Sequence, residues 1–233
     1  MPFAMLCDFD GTVAPFDIGA GFVRHFGRGP TGALETALTR WQAGEIGHRE
    51  LTGVECQRLV VTAGEAIGFT RQFELDPAFA ELVEDCARAG APVEVVSEGF
   101  EFYIADLLDR AGLAGVPFTS NRLRFEAPDR AEPEFPNEGG CGRCGNCKGE
   151  RVRHYRQRGY TVVMVGDGYS DRCGAVAADH VLARGALLDW CRTEGIAVQP
   201  FVDFRDVAEW TRGFAAAAAT AATAVAPATE GAS

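Results

Sequence analysis

The sequence predicts an α/β chain, a Rossmann-like doubly wound parallel sheet with an inserted all-helical cap, and three observations lead there. From about residue 92 onward short apolar, strand-like runs alternate with helical ones, a pattern that calls for a parallel sheet covered on both faces. A further strand-like run, residues 3–8, stands alone near the N-terminus. Between the two, from roughly 15 to 73, the pattern is helix upon helix. The expected division is a core made of 1–14 and 74–214, a helical cap at 15–73, a flap or Cys-rich loop at 121–147 within the core, and a disordered Ala/Thr-rich tail at 215–233.

Taken in order, Phe3 to Cys7 is apolar throughout and ends at Asp8, as a short buried strand does. The cap spacing predicts helices over Gly19 to Phe26, Thr31 to Gln42 and His48 to Thr62, with a short piece around Ala66 to Phe73. Leu34, Leu38 and Trp41 recur at helical spacing and are read as the cap's own core. Asp76-Pro77 is expected to start the helix that returns the chain to the sheet, with Asp as N-cap and Pro at the first helical position. Strands are then predicted at Pro92 to Ser97, Val116 to Ser120 and Thr161 to Val165, with helices at Phe100 to Ala111 and Gly149 to Arg158. Short strands at His180 to Ala183 and near Phe201 follow, with helices around Ala186 to Glu194 and Phe204 to Phe214. From Ala215 the chain lacks an amphipathic stripe, so it extends the last helix for a few turns and then frays.

At 233 residues and 47% hydrophobic content the chain is long enough for one sizeable core plus a smaller subdomain. The net charge of −11 argues against nucleic-acid binding, which needs a basic face to displace counterions. It also repels anionic metabolites at long range, so a phosphorylated ligand requires local donors and a metal. The N-terminus lacks a basic leader and no apolar run approaches a membrane span, so the expected place is the cytoplasm, as monomer or homodimer. There the eight cysteines are reduced thiols or metal ligands, not a disulfide framework.

Four polar clusters follow or open regular elements: Asp8/Asp10, Ser97-Glu98-Gly99, Lys148, and Asp167 with Asp171. Asp8 and Asp10 sit where a buried strand meets its loop, Gly11 permits the turn, and an uncompensated carboxylate pair there asks for a divalent cation. Asp167, between two glycines, can share a hard cation with Asp8. Ser97 offers a hydroxyl and neighbouring backbone N–H groups to a phosphoryl oxygen. Lys148 is the only lysine among 22 basic residues. It either survives by chance on a solvated loop or occupies a pocket too tight for a guanidinium. Singly, each signal has a bland reading, since Ser97 can be a cap and Asp-Gly a turn.

In their order and placement these clusters resemble the four motifs of the haloacid dehalogenase superfamily of phosphatases. The likeness spans about residues 3 to 212, and the all-helical insert is similar to the cap of the phosphoserine-phosphatase-like branch. Ser97-Glu-Gly-Phe-Glu-Phe-Tyr-Ile104, Cys144-Gly-Asn-Cys-Lys148 and Gly166-Asp-Gly-Tyr-Ser-Asp-Arg-Cys173 most resemble the 2-hydroxy-3-keto-5-methylthiopentenyl-1-phosphate phosphatases of methionine salvage. The resemblance implies a small phosphorylated metabolite as substrate, Asp8 as nucleophile and Asp10 as acid and base. It implies Mg²⁺ on Asp8, Asp10 (through its backbone carbonyl) and Asp167. Ser97 and Lys148 would hold phosphoryl oxygens, Glu98 and Gly99 would line the phosphate site, and Asp171 would support the metal end or Lys148. Phosphoserine phosphatase or a phosphotransferase is the alternative within this branch, and a binding protein that has lost turnover the alternative outside it.

Specificity is expected from the cap. Asp17 aligns with an acidic residue that faces the substrate amine in phosphoserine enzymes, whereas Glu55 stands where those enzymes place an arginine, with Arg49 or Arg58 as possible substitutes. Cys141, Cys144 and Cys147 form a C-x-x-C-x-x-C run that could clasp zinc, but a closed site needs a fourth ligand, and His154 or Cys173 could supply it through space. Arg151 stands where a ferredoxin-like run needs cysteine, which argues against an iron–sulfur cluster. His25, His48, His154 and His180 show no ligand spacing and are read as structural or exposed.

Overall fold

A strand that is apolar on both faces, such as Phe3-Ala-Met-Leu-Cys7, is stable only with cover on both sides. The computed structural model, which describes residues 2–127, 129–137 and 141–225, places this strand, β1 (Phe3–Cys7), at the centre of a seven-stranded sheet. The other strands are β2 (Val93–Phe100), β3 (Phe118–Ala127), β4 (Arg130–Glu134), β5 (Thr161–Gly166), β6 (His180–Ala183) and β7 (Gln199–Pro200). Their order is β4-β3-β2-β1-β5-β6-β7, and every neighbouring pair is parallel except β3 with β4. The chain builds outward from β1 to β3 and β4, then returns to lay β5 on β1's other side. That reversal opens a crevice beyond the carboxyl ends of β1 and β5, the place where doubly wound sheets bind ligands.

Helices cover both faces. Met5 and Cys7 point into one core with α5 (Phe79–Arg88), α6 (Glu101–Arg110) and α10 (Phe204–Val225), through Phe79, Leu82, Ile104, Leu107, Phe204 and Val207. Ala4 and Leu6 point the other way, onto Val152 and Tyr155 of α7 (Lys148–Gln157). A short α8 (Arg172–Ala177) and α9 (Gly185–Thr193) complete that side, where Ala183 and Leu187 pack together. Period-2 alternation along β1 thus divides one apolar run between two layers.

The cap consists of α1 (Ile18–Phe26), α2 (Gly32–Gln42), α3 (His48–Cys56) and α4 (Ala63–Thr70). Leu34, Leu38 and Trp41 do pack with Ala37, Ile46 and Leu51 in a small cluster of their own. The rest of the cap is not separate from the core. Ile18, Phe22, Phe26 and Ala66 join the same apolar cluster as the sheet, and Phe22 meets Phe102 of α6 at 5.3 Å between ring centroids.

Four expectations need correction. Asp76 does not cap a helix that begins at Pro77, because α5 starts at Phe79. Its carboxylate instead accepts from Ala78 N (2.9 Å) and Phe204 N (3.1 Å), a tertiary bond that no local pattern reveals. The strand predicted to stop at Ser120 runs on to Ala127 and pairs antiparallel with Arg130–Glu134, so these parts of the expected flap extend the sheet. The third cap helix ends at Cys56, not Thr62. The tail is not disordered from 215: it continues α10 to Val225, the few further turns expected of it, and 226–233 lie outside the described residues. Among the described residues no helix is long and apolar enough to cross a membrane.

A buried carboxylate in the sheet faces α7. This is Glu94 of β2, 1% exposed, which accepts two bonds from Arg151 (2.7 Å each) and one from the Tyr155 hydroxyl (2.8 Å). Arg151→Ala leaves that carboxylate buried without its cation, so a loss of about 3 kcal/mol in urea unfolding is expected, and a loss below about 1 kcal/mol would show that the pair does not stabilise the sheet.

Candidate active site

The crevice between the sheet and the cap holds a cavity of about 180 Å³. Asp8, Asp10, Ser97, Glu98, Gly99 and Asp167 line it from below, and Asp17, Leu38, Trp41, His48, Leu51 and Glu55 line it from the cap. Asp8 follows β1 directly, and Asp8 N donates to Val165 O at 2.9 Å, so the first carboxylate is registered against the last turn of β5. Gly11 then reverses the chain at φ +75°, and a Cβ there would lie 2.5 Å from Asp167 Oδ2. Only glycine lets the first acidic loop approach the second so closely.

Lys148 is the first residue of α7 and is completely buried. Its ammonium donates to Asp8 Oδ1 (2.5 Å), Asp171 Oδ1 (2.5 Å) and Ser170 Oγ (3.1 Å). The lone lysine is therefore not a survivor on a solvated loop: three partners converge on one compact cation with three donors. It lies beneath Asp8 and not among the residues that line the cavity. Asp171, fully buried, likewise does not line the cavity. Its Oδ2 accepts from Asp167 N (3.0 Å) and Gly168 N (2.9 Å), so Asp171 holds the lysine and the 167–168 loop in place.

One lysine faces three acids. Asp8, Asp167 and Asp171 each offer an oxygen, all within 4.8 Å of one another. Burial and then the Asp171 charge push Asp8 well above the usual carboxylate range despite Lys148. The same two causes raise Asp167, whose Oδ1 also accepts from Thr12 Oγ1 at 2.9 Å. A set of hard oxygen donors with surplus negative charge suits a small divalent cation such as Mg²⁺. Asp8 and Asp167 are the carboxylates of that set that face the cavity.

Asp10 has a different environment. Its Oδ1 accepts from Ile18 N (2.9 Å) and Gly19 N (3.2 Å) at the start of α1, and its Oδ2 from the Tyr103 hydroxyl (2.6 Å). Burial, followed by the nearby Asp17, raises its pKa to about 7, with these three bonds acting in the opposite sense. Two carboxylates two residues apart thus have different surroundings: one is tied to an ammonium, the other is raised toward neutrality.

The end of β2 supplies the opposite wall. Its register with β3 shifts between Val96 and Phe100, and this irregularity brings Ser97, Glu98 and Gly99 to the cavity. Ser97 Oγ accepts from Gly99 N at 2.9 Å. Glu98 Oε2 accepts from Gly145 N (3.0 Å) and pairs with His48 Nδ1 (3.0 Å), while its Oε1 is buried without a protein partner. Burial acts to lower His48, yet Glu98 outweighs it and raises the imidazole, while His48 lowers Glu98 against its own burial. Both shifts favour the ion pair. His48 is accordingly a cavity residue, which corrects its reading as merely structural or exposed.

The cap brings acids and apolar groups to the cavity. Asp17 caps α1 by accepting from Ala20 N at 2.8 Å and faces the cavity as well. Glu55 also lines it, raised to about 6 by burial. Neither candidate arginine does: Arg58 donates to Gly29 O (3.3 Å), and Arg49 stacks over Phe135 at 4.9 Å. Trp41 meets Tyr169 at 5.3 Å and closes one side. Sequence reasoning missed His48, Tyr103, Thr12 and Arg184, whose guanidinium clamps Gly11 O (2.5 Å) and Thr12 O (3.4 Å). Tyr103 carried a signal as part of the segment after Ser97, and Thr12 as part of the run from Asp8 to Thr12. All four act through contacts distant in sequence.

Gly99 separates Ser97 from the acid cluster. A Cβ there would overlap the Tyr103 hydroxyl and come within 2.5 Å of Asp10 Oδ2. Gly99→Ala is expected to break the Tyr103–Asp10 bond and cost about 1–3 kcal/mol in denaturant unfolding, whereas an unchanged midpoint would mean that the wall yields freely.

The family model for the haloacid dehalogenase-like hydrolases matches residues 5–176. The chain is 32% identical over 212 residues to the bifunctional enzyme MtnB/MtnX of Bacillus licheniformis, covering 87% of this chain but only 48% of that protein. It is 32% identical over 212 residues to the 2-hydroxy-3-keto-5-methylthiopentenyl-1-phosphate phosphatase of Geobacillus kaustophilus, covering 87% of this chain and 92% of that one. Among solved structures, the phosphoserine phosphatase of T. onnurineus in complex with NDSB-201 superposes with a TM-score of 0.67 at 19% identity, over 91% of this chain and 95% of that one. With the acids of β1 and β5 gathered at the switch point of a matching sheet, the chain belongs to the haloacid dehalogenase-like hydrolase family and is a phosphatase.

Proposed function

We propose that this phosphatase hydrolyses the phosphate monoester of a small, uncharged, partly apolar metabolite through an aspartyl-phosphate on Asp8. The observation that carries the reading is the pairing of a lysine-bound carboxylate, Asp8, with a neighbouring carboxylate, Asp10, held near pKa 7 in the same cavity. Lys148 engages Asp8 Oδ1, so Oδ2 is the oxygen left for phosphorus. As the Asp8–phosphorus bond forms, the bond from phosphorus to the ester oxygen breaks, and protonated Asp10 gives its proton to the departing alkoxide. Asp10, now ionised, takes a proton from the water that attacks phosphorus. The bond to Asp8 then breaks, and inorganic phosphate leaves.

Mg²⁺ held by Asp8, Asp167 and the Asp10 backbone carbonyl would neutralise charge on the phosphoryl group. Ser97, with its neighbouring backbone N–H groups, is placed to hold a phosphoryl oxygen, and Lys148 fixes the nucleophile from behind.

The cap side of the cavity supports the choice of substrate. Its apolar walls are Val23, Leu38, Trp41, Leu51 and Phe100, and its ionised groups are acidic apart from His48, which Glu98 holds. Among the described residues that line it there is no arginine. A carboxylate-bearing phosphate such as phosphoserine would meet Glu55 and Asp17 without a cation, whereas the keto-alcohol phosphate named for the Geobacillus relative carries no second acid. Released phosphate from a panel of phosphorylated metabolites tests this. A kcat/KM for the methylthiopentenyl phosphate at least about 100-fold above that for phosphoserine is expected, and the reverse order would end the reading.

Asp8→Asn should leave the circular dichroism spectrum unchanged and lower turnover of phosphomonoesters by at least about 10⁴-fold; a fully active variant would remove the nucleophile. Because the first displacement needs Asp10 protonated, single-turnover phosphorylation should fall above about pH 7. The Tyr103 bond holds that pKa down, so Tyr103→Phe should move the alkaline limb to higher pH. In metal-free protein the folded state keeps this proton between the ordinary 3.8 and about 7 while the unfolded chain has lost it. Stability from this group is therefore full below the lower value and is lost as pH rises through the upper one, which urea melts across that window would record.

A further inference from the structure

The Cys-rich loop takes no part in the chemistry described above, yet it bonds to the end of β2 at Ser97 and Glu98. Cys141, Cys144 and Cys147 bring their sulfurs within 4.8 Å of one another. A fourth thiol, Cys173 of α8, comes from across the fold to the start of α7, where Gly149 N, two residues after Cys147, donates to its Sγ at 3.4 Å; it stands outside the group of three. The edge of a zinc–tetrathiolate tetrahedron is about 3.8 Å for zinc–sulfur bonds of about 2.3 Å. All eight cysteines are free thiols, so no disulfide uses these four.

The backbone around them points its N–H groups at sulfur. Arg143 N (3.5 Å) and Cys144 N (3.4 Å) both donate to Cys141 Sγ, across a turn in which Gly142 takes φ +66°. Gly149 N donates to Cys173 Sγ at 3.4 Å. Such bonds orient and stabilise thiolates as metal ligands, and the loop spends three backbone donors on them. His154, the other expected fourth ligand, is turned to Arg158, with Nε2 3.4 Å from its Nη1.

We propose that Cys141, Cys144, Cys147 and Cys173 form a structural zinc site that fastens the catalytic core to its cap. Cys147 is the N-cap residue just before α7, so a metal there fixes the backbone from which Lys148 projects. Cys173 follows Asp171 by two residues, so the same ion would tie together the two elements whose side chains pair in the buried core of the site. On the other side of the loop, Arg143 donates to Gly44 O (2.6 Å) and Ile46 O (3.1 Å), and Arg49 N donates to Arg143 O (3.1 Å). Asn146 donates to Ser97 O and Thr119 O (2.8 Å each), which holds the end of β2. Zinc binding displaces the thiol protons and leaves a closed, four-coordinate ion without an open position for substrate.

Metal analysis of full-length protein purified without chelators is the test. About one equivalent of zinc per chain that survives dialysis against EDTA is expected. Its release should require a mercurial thiol reagent. Cobalt substitution should give the intense visible ligand-field bands of a tetrahedral tetrathiolate, a readout that needs no variant. Cys141→Ser and Cys173→Ser should each weaken zinc retention about 10–100-fold, with a lower melting temperature for Cys173→Ser. Roughly a tenth of an equivalent of zinc or less, with the thiols at once reactive to Ellman's reagent, would overturn the site, as would iron and sulfide with visible cluster absorption. Metal content is read independently of turnover, so this outcome and that of the proposed reaction do not confound each other.

Discussion

A completely buried ammonium held at 2.5 Å by each of two carboxylates is the contact on which the rest of the structure depends. Taking such ions out of water is costly, and it is tolerated only when geometry and further hydrogen bonds satisfy every partner. Here they do on the lysine and Asp171: Lys148 has three acceptors, and the second oxygen of Asp171 has two backbone donors. The arrangement joins β1, β5 and α7 at one point. A guanidinium could not replace the ammonium there, because its planar fork needs space that three converging partners do not leave.

The surplus charge left by that arrangement shapes the function. One cation cannot neutralise Asp8, Asp167 and Asp171, so the two that face the cavity favour either a proton or a divalent ion. Asp10 escapes this competition because helix α1 and Tyr103 bind it, and burial sets it near neutrality. The cap adds acids and apolar walls, which bias the cavity against a second negative charge on the substrate. On the proposed reading, recognition of phosphate and selection against carboxylate come from different layers of one crevice.

Glycines at 11 and 99 show how closely the layers approach. At each, an added methyl would meet an acidic oxygen at 2.5 Å. The loop after β1 and the end of β2 therefore carry polar side chains at separations that only backbone without Cβ permits. The Cys-rich loop braces the same region from outside through Arg143 and Asn146.

Much of the architecture was legible in the sequence because local periodicity is enough to specify it. The apolar run before Asp8, the alternation after residue 92 and the helical stretch between them each follow from how side chains repeat along strands and helices. The lone lysine and the order of the acids pointed to the site for a similar reason: residue type and adjacency to a strand end are one-dimensional facts. Tertiary structure alone decided that Lys148 lies beneath Asp8, that Asp171 holds the lysine, and that His48 pairs with Glu98 across the cap. It also decided that Asp76 binds Phe204 N, 128 residues away, and that Cys173 comes to the start of α7. These are pairings between segments far apart in the chain, and their energy comes from burial and charge at the point of contact, which no local pattern encodes.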